Sequence, residues 1–203
     1  MKTKRCNQLK KKITIKKTDA LIIVDAQNDF LSGGSLPVPN GEEIILFLNY
    51  YLDLFKKAQG KVFATRDWHS INHLSFKEQG GIWPSHCICG TKGAEFSPKL
   101  KLPKNAIIIS KATDPSKESY SGFDGTKLCK KLKKNKVINV FIGGLATDYC
   151  VKNTVIDAIK LGFKTFFLID ASKGIELTPG NVKRSIEMMQ NKGAIKVRKQ
   201  NFY

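Results

Sequence analysis

Short runs of unbroken apolar residues, separated by stretches with helical spacing, set the pattern of this chain. Ala20-Leu-Ile-Ile-Val24 carries no polar residue at either alternate position. A strand with one wet face would alternate, so an all-apolar run fits a parallel strand covered on both faces. Lys61-Val-Phe-Ala-Thr65, Ala106-Ile-Ile-Ile-Ser110, Val137-Ile-Asn-Val-Phe-Ile142 and Lys164-Thr-Phe-Phe-Leu-Ile169 repeat the theme, and 194–197 reads as a last short strand. From Glu42 to Lys57 the apolar residues Ile44, Ile45, Leu48, Tyr51, Leu52 and Phe55 recur at helical spacing, with Gly60 as a stop. Helices are also expected over 124–134, with Asp124 as N-cap, over 149–161 and over 181–191. Repeated strand–helix units imply an α/β fold: three α-β-α layers around a mostly parallel central sheet.

No repeat and no linker divides the 203 residues, so a single domain over 1–203 is expected, with 1–17 an unassigned basic segment. A chain of this length can bury a core without staples. The basic N-terminus is followed by no apolar core, and stretches such as Val137 to Ala146 are too short to span a bilayer. A cytoplasmic protein with no membrane partner is the expectation. The balance of 35 Lys+Arg against 17 Asp+Glu gives a formal charge of +18, a field that attracts anions. The lysines are scattered, with clusters at Lys10–Lys12 and Lys130–Lys136. No interleaved aromatics or nucleic-acid motif accompany them, so specific nucleic-acid binding is not expected.

The cysteines Cys6, Cys87, Cys89, Cys129 and Cys150 number five, an odd count without an export signal, which argues against a disulfide framework. His86-Cys-Ile-Cys89 lacks a second Cys/His pair at zinc-site spacing.

In open parallel sheets, ligands bind outside the carboxyl ends of the strands. Asp25, Asp67 and Lys111 follow the first three strands, and Cys150 follows the fourth across Gly143-Gly144. Each alone is unremarkable: an Asp often caps a loop, and a Cys is often a small buried hydrophobe. Together they make a coherent set. A helix N-terminus and a nearby ammonium lower a thiol's pKa, a carboxylate can shuttle its proton, and the turn at Ala146-Thr-Asp148 offers N–H groups for an oxyanion.

All three histidines, His69, His73 and His86, fall in the long aperiodic segment 67–103. Loops of that length are usually functional. In an extended segment Asp67 and His69 face one side, and His86 would complete a two-His, one-carboxylate set suited to zinc, iron or manganese. His73 is either a fourth ligand or a support for one. Cys87 and Cys89 are expected to pack, Asp170 to be structural, and Arg66 either to orient Asp67 or to face solvent.

Val24-Asp-Ala-Gln-Asn-Asp-Phe30, Thr65-Arg-Asp-Trp-His69, Trp83-Pro-Ser-His-Cys87, Lys111 and Gly143-Gly-Leu-Ala-Thr-Asp-Tyr-Cys-Val151 occur in that order over roughly 19–175. Jointly they resemble the nicotinamidase branch of the isochorismatase-like cysteine hydrolases. The resemblance implies a triad of Asp25 as proton carrier, Lys111 as support and Cys150 as nucleophile. It implies Asp67, His69 and His86 as ligands of one divalent metal, zinc ahead of iron or manganese, and Phe30 and Trp83 as clamps on the substrate ring. It further implies an oxyanion hole from the N–H groups of Ala146 and Cys150, a cis Leu145–Ala146 peptide, and a homo-oligomeric habit. The implied reaction is hydrolysis of nicotinamide to nicotinate and ammonia through a thioester. An isochorismatase proper would not need Cys150. Cysteine amidohydrolases of carbamoyl or ureido groups share the triad but not the need for a ring-nitrogen metal site. A basic, non-catalytic binding protein would be expected to have lost a triad residue, and none is lost.

Overall fold

The computed structural model describes residues 12–203. Cys6, Lys10 and Lys11 lie outside the described residues. Of the basic leading segment, Ile13 bridges to Phe202 in parallel, donating its N–H to Asn201 O at 2.7 Å.

Strands β1 (Asp19–Val24), β2 (Lys61–Asp67), β3 (Ile107–Lys111), β4 (Asn139–Leu145), β5 (Lys164–Lys173) and β6 (Ile195–Val197) form one parallel sheet in the order β3-β2-β1-β4-β5-β6. Helices α1 (Glu43–Lys57), α2 (Leu128–Lys134), α3 (Lys152–Lys160) and α4 (Asn181–Asn191) cover it.

The two-sided burial of β1 follows from strand periodicity. Leu21 and Ile23 pack with Ile44, Leu48, Tyr51 and Phe55 of α1. Ile22 and Val24 face the other way, onto Leu128 and Leu132 of α2, Val155 and Ala158 of α3 and Met189 of α4. At ~25 cal/mol per Å² of apolar surface, such two-sided burial is what holds the layers together. The sheet thus matches the expected three-layer α/β arrangement.

Strand order reverses between β1 and β4, and the crevice at such a switch point is the natural ligand site. There the β4 ladder to β5 shifts register between Ile142 and Gly144. Gly144 has φ +132°, and a Cβ there would lie 2.0 Å from Val24 O, so only glycine permits this approach.

Two boundaries differ from expectation. Asp124 does not cap α2: its carboxylate pairs with Lys117 Nζ at 2.6 Å, and Gly125 at φ +66° turns the chain. The Oγ1 of Thr126 instead accepts the Leu128 N–H at 3.1 Å, just ahead of the first helical residue. The chain after β4 does not enter α3 directly either. Thr147–Val151 forms one wide π-type turn, and α3 begins at Lys152. Among the described residues no helix is long and apolar enough to cross a membrane.

Candidate active site

Asp25, Lys111 and Cys150 are brought together as the strand-end rule requires. All three are buried. Lys111 Nζ lies 3.0 Å from Asp25 Oδ2 and 3.3 Å from Cys150 Sγ, and it also donates to Asp67 Oδ1. One ammonium therefore serves both carboxylates and the thiol. The sharing of Asp67 between lysine and histidines was not foreseen, because the register pairing Asp67 with Lys111 on neighbouring strands is a tertiary fact.

Asp25 Oδ1 accepts from Thr65 Oγ1 at 2.6 Å, whereas Oδ2 accepts no well-formed hydrogen bond. Oδ2 meets only the Lys111 ammonium, so it is the oxygen placed to exchange a proton with the thiol. Burial pushes the Asp25 carboxyl up to about 6, against the pull of Lys111. Asp67 is also buried, but the Lys111 ammonium beside it outweighs that burial and holds it below the usual range. Burial would discharge Lys111, yet Asp25 and Asp67 keep it firmly protonated.

Cys150 departs from expectation. Burial pushes its thiol well up, and Lys111 only partly opposes this. The resting sulfur therefore carries its proton. Expecting a lowered thiol from the helix start and the lysine neglected the cost of desolvating a thiolate.

Asp67, His69 and His86 offer ligand atoms within 4.8 Å of one another. His69 Nδ1 lies 3.1 Å from His86 O, and His86 Nδ1 lies 2.8 Å from Pro84 O. A carbonyl only accepts, so both Nδ1 atoms donate, which leaves Nε2 as the ring atom that would face a metal. Burial holds His69 down to about 4, which leaves it neutral. Two imidazoles and a carboxylate are a donor set that fits a divalent cation.

His73 is buried outside this set, its ring 4.4 Å from that of His69. Its Nδ1 meets Ser75 twice, with Oγ at 2.7 Å and the N–H at 3.2 Å, and its Nε2 is buried without a partner among the described residues.

Asp25, Lys111's neighbour Ala112 and His86's neighbour Cys87 all adopt left-handed φ, at +47°, +51° and +48°. Each costs about 1–3 kcal/mol and persists only where its surroundings impose it. The Leu145–Ala146 peptide is cis.

Both clusters open into one pocket, whose empty space including its open mouth is about 370 Å³. Phe30, Trp83 and Ala146 line it as expected, and so do Tyr120, Tyr149 and Ile175. Trp83 Nε1 donates to Tyr120 OH at 3.0 Å, and Trp83 meets Tyr149 edge to face at 4.9 Å. Tyr149 adjoins Cys150 in the chain, a signal that could have found it. Ile175 could not be read from sequence: Asp148, fully buried in the turn, draws its loop in by accepting the Ile175 and Glu176 N–H groups at 3.0 and 2.9 Å.

The isochorismatase-domain family pattern matches residues 19–200. The chain belongs to the isochorismatase family. Within that family it is 34% identical to the nicotinamidase of Escherichia coli over 196 residues, covering 86% of this chain and 92% of that one. Among solved structures, the pyrazinamidase of Pyrococcus horikoshii in complex with zinc is 51% identical, with a TM-score of 0.86 over 89% of this chain and 99% of that one. The yeast nicotinamidase bound to the inhibitor nicotinaldehyde is 30% identical, with a TM-score of 0.83 over 89% of this chain and all of that one (100%).

Other family-member residues are simpler. Asp170 is structural, accepting from Tyr51 OH and from the Lys199 N–H at 2.8 and 2.6 Å. Arg66 neither orients Asp67 nor reaches freely into solvent: it stacks on Trp68 at 3.6 Å and bonds Ser110 Oγ at 2.9 Å. Cys87 packs in the core, but Cys89 is exposed, correcting half of that expectation.

Proposed function

We propose that this protein hydrolyses nicotinamide to nicotinate and ammonia, with Cys150 as nucleophile. The observation that carries this is the shared pocket: a thiol held by a lysine and a carboxylate, beside a metal-type donor set, at one aromatic-lined cavity. The relatives named nicotinamidase and pyrazinamidase support the same reading.

Asp67, His69 and His86 would hold one divalent cation, zinc by preference given the zinc in the Pyrococcus relative. When bound, it would supply Lewis-acid attraction for a ring nitrogen. Phe30 and Trp83 clamp the flat ring. This places the carboxamide carbon before Cys150 Sγ.

As sulfur attacks, its proton passes to Asp25 Oδ2, and Lys111 steadies both anionic partners. The N–H groups of Ala146 and Cys150 receive the developing oxyanion. Asp25 then returns the proton to the amide nitrogen, the C–N bond breaks and ammonia leaves. Water attacks the thioester as Asp25 takes its proton. The C–S bond breaks, Asp25 re-protonates the sulfur, and nicotinate departs. A thiol that is protonated at rest and a carboxyl near 6 suit this concerted transfer.

Carbamoyl and ureido amides are the competing substrates, and they lack the ring nitrogen that a metal at the donor set would serve. The test is ammonia release from nicotinamide and from carbamoyl or ureido compounds, by the zinc-loaded protein and after chelation. Preference for nicotinamide, weakened by chelation, is expected. Release only from carbamoyl or ureido compounds, indifferent to chelation, overturns the reading.

A further inference from the structure

The loop that carries the histidines is tied to the segment following β1. Gln27, fully buried, donates from Nε2 to Asp67 O at 2.8 Å and to Ala94 O at 2.9 Å, while its Oε1 accepts the Asp67 N–H at 2.8 Å. Two positions on, the Asp29 carboxylate is buried as well. Its Oδ2 accepts the Cys87 N–H at 2.7 Å, and its Oδ1 accepts the Ser35 N–H at 3.2 Å.

The Cys87 N–H belongs to the peptide unit that joins His86 to Cys87. The carbonyl of that same unit, His86 O, accepts from His69 Nδ1. One peptide plane is thus gripped on both edges, by a carboxylate and by an imidazole. Its orientation sets where His86 leaves the backbone and which nitrogen of His69 is free. The left-handed φ of Cys87 shows that the plane is not in a locally preferred setting. Gly93 completes the mount: a Cβ there would lie 2.2 Å from Asp29 Oδ2, so the carboxylate occupies the space a side chain would need.

We propose that Asp29 is a positioning residue for the metal site, orienting the His86–Cys87 peptide and through it both imidazoles; this rests on the metal reading of Asp67, His69 and His86 above. Each carboxylate oxygen of Asp29 accepts one of the two N–H groups. Asparagine would keep one acceptor and set an NH₂ against the other donor.

The full chain is stripped of metal and titrated with zinc against a chromophoric chelator, comparing wild type, Asp29→Asn, Gly93→Ala and His86→Ala. Thermal unfolding of the metal-free proteins and the rate of Cys150 alkylation by iodoacetamide are followed in parallel. Asp29→Asn is expected to bind zinc about 10–100-fold more weakly, the range seen when a support of a metal ligand is lost. Its alkylation rate should stay at the wild-type value, and ammonia release should recover at saturating zinc, which a general loosening of the fold would not allow. Gly93→Ala, which keeps the charge but displaces it, should shift zinc affinity in the same direction, and it decides the matter if Asp29→Asn does not fold. Wild-type zinc affinity in both variants overturns the proposal. A wild type that binds no zinc, or a His86→Ala that binds it as tightly as wild type, instead overturns the metal reading.

Discussion

The two halves of the pocket are built differently. The nucleophile half stands on regular structure: Asp25 and Lys111 close strands, and Cys150 sits in the turn after β4. Neighbouring strands fix the spacing, so a single lysine reaches three partners with little further scaffolding. In the histidine half only Asp67 closes a strand; the two histidines hang on a loop, and their geometry is imposed by polar tethers: Gln27 on the Asp67 backbone, Pro84 O on His86, His86 O on His69. A ladder positions chemistry cheaply. A loop must be told where to go, one hydrogen bond at a time.

That contrast breaks most visibly at the nucleophile. Cys150→Ala should reduce ammonia release to background, a loss of about 10⁴-fold or more, while zinc binding is retained. Loss of zinc binding in that variant would mean the halves are not separable.

Lys111→Met should be next. It leaves Asp25 and Asp67 buried without their cation and should cost about 3–5 kcal/mol in urea unfolding. An unchanged midpoint would remove the lysine from its place between the halves.

His86→Ala should weaken zinc by at least the 10–100-fold associated with losing a mere support of a ligand. Cys150 alkylation should not change. A slowed alkylation would show the metal half shaping the nucleophile half.

The pH profile sharpens the account of proton transfer. Asp25 must be ionised to accept the thiol proton, and burial raises its carboxyl to about 6. kcat/KM should therefore rise with pH through about 6, falling about tenfold per unit below it. An acid limb near 4 would contradict the buried setting of Asp25.

The smallest effect is at the rim. Tyr120→Phe removes the acceptor of Trp83 Nε1 and should raise KM by a few-fold, from a hydrogen bond worth about 0.5–1.5 kcal/mol. A fall in kcat alone would place Tyr120 closer to the reaction.

How much the sequence revealed follows the same division. The apolar run 20–24 and the helical spacing from Ile44 to Phe55 predicted β1 and α1 because period and burial coincide there. The strand-end rule then placed Asp25, Lys111 and Cys150 on one rim. What stayed hidden was set by competition between partners. Asp124 looked like a cap until Lys117, seven residues away, took its carboxylate. The thiol of Cys150 looked activated until its depth in the fold was known. Tyr120 lines the pocket from a loop that no motif aligns, so its bond to Trp83 is a fact of the fold alone.

The most direct measurement is covalent. The protein is mixed with nicotinamide, quenched in acid within a turnover, digested and mapped by mass spectrometry. A nicotinoyl group on the peptide containing Cys150, absent in Cys150→Ala, is the predicted result. Rapid ammonia release with no acyl group on Cys150, or an acyl group that persists elsewhere in Cys150→Ala, would contradict it.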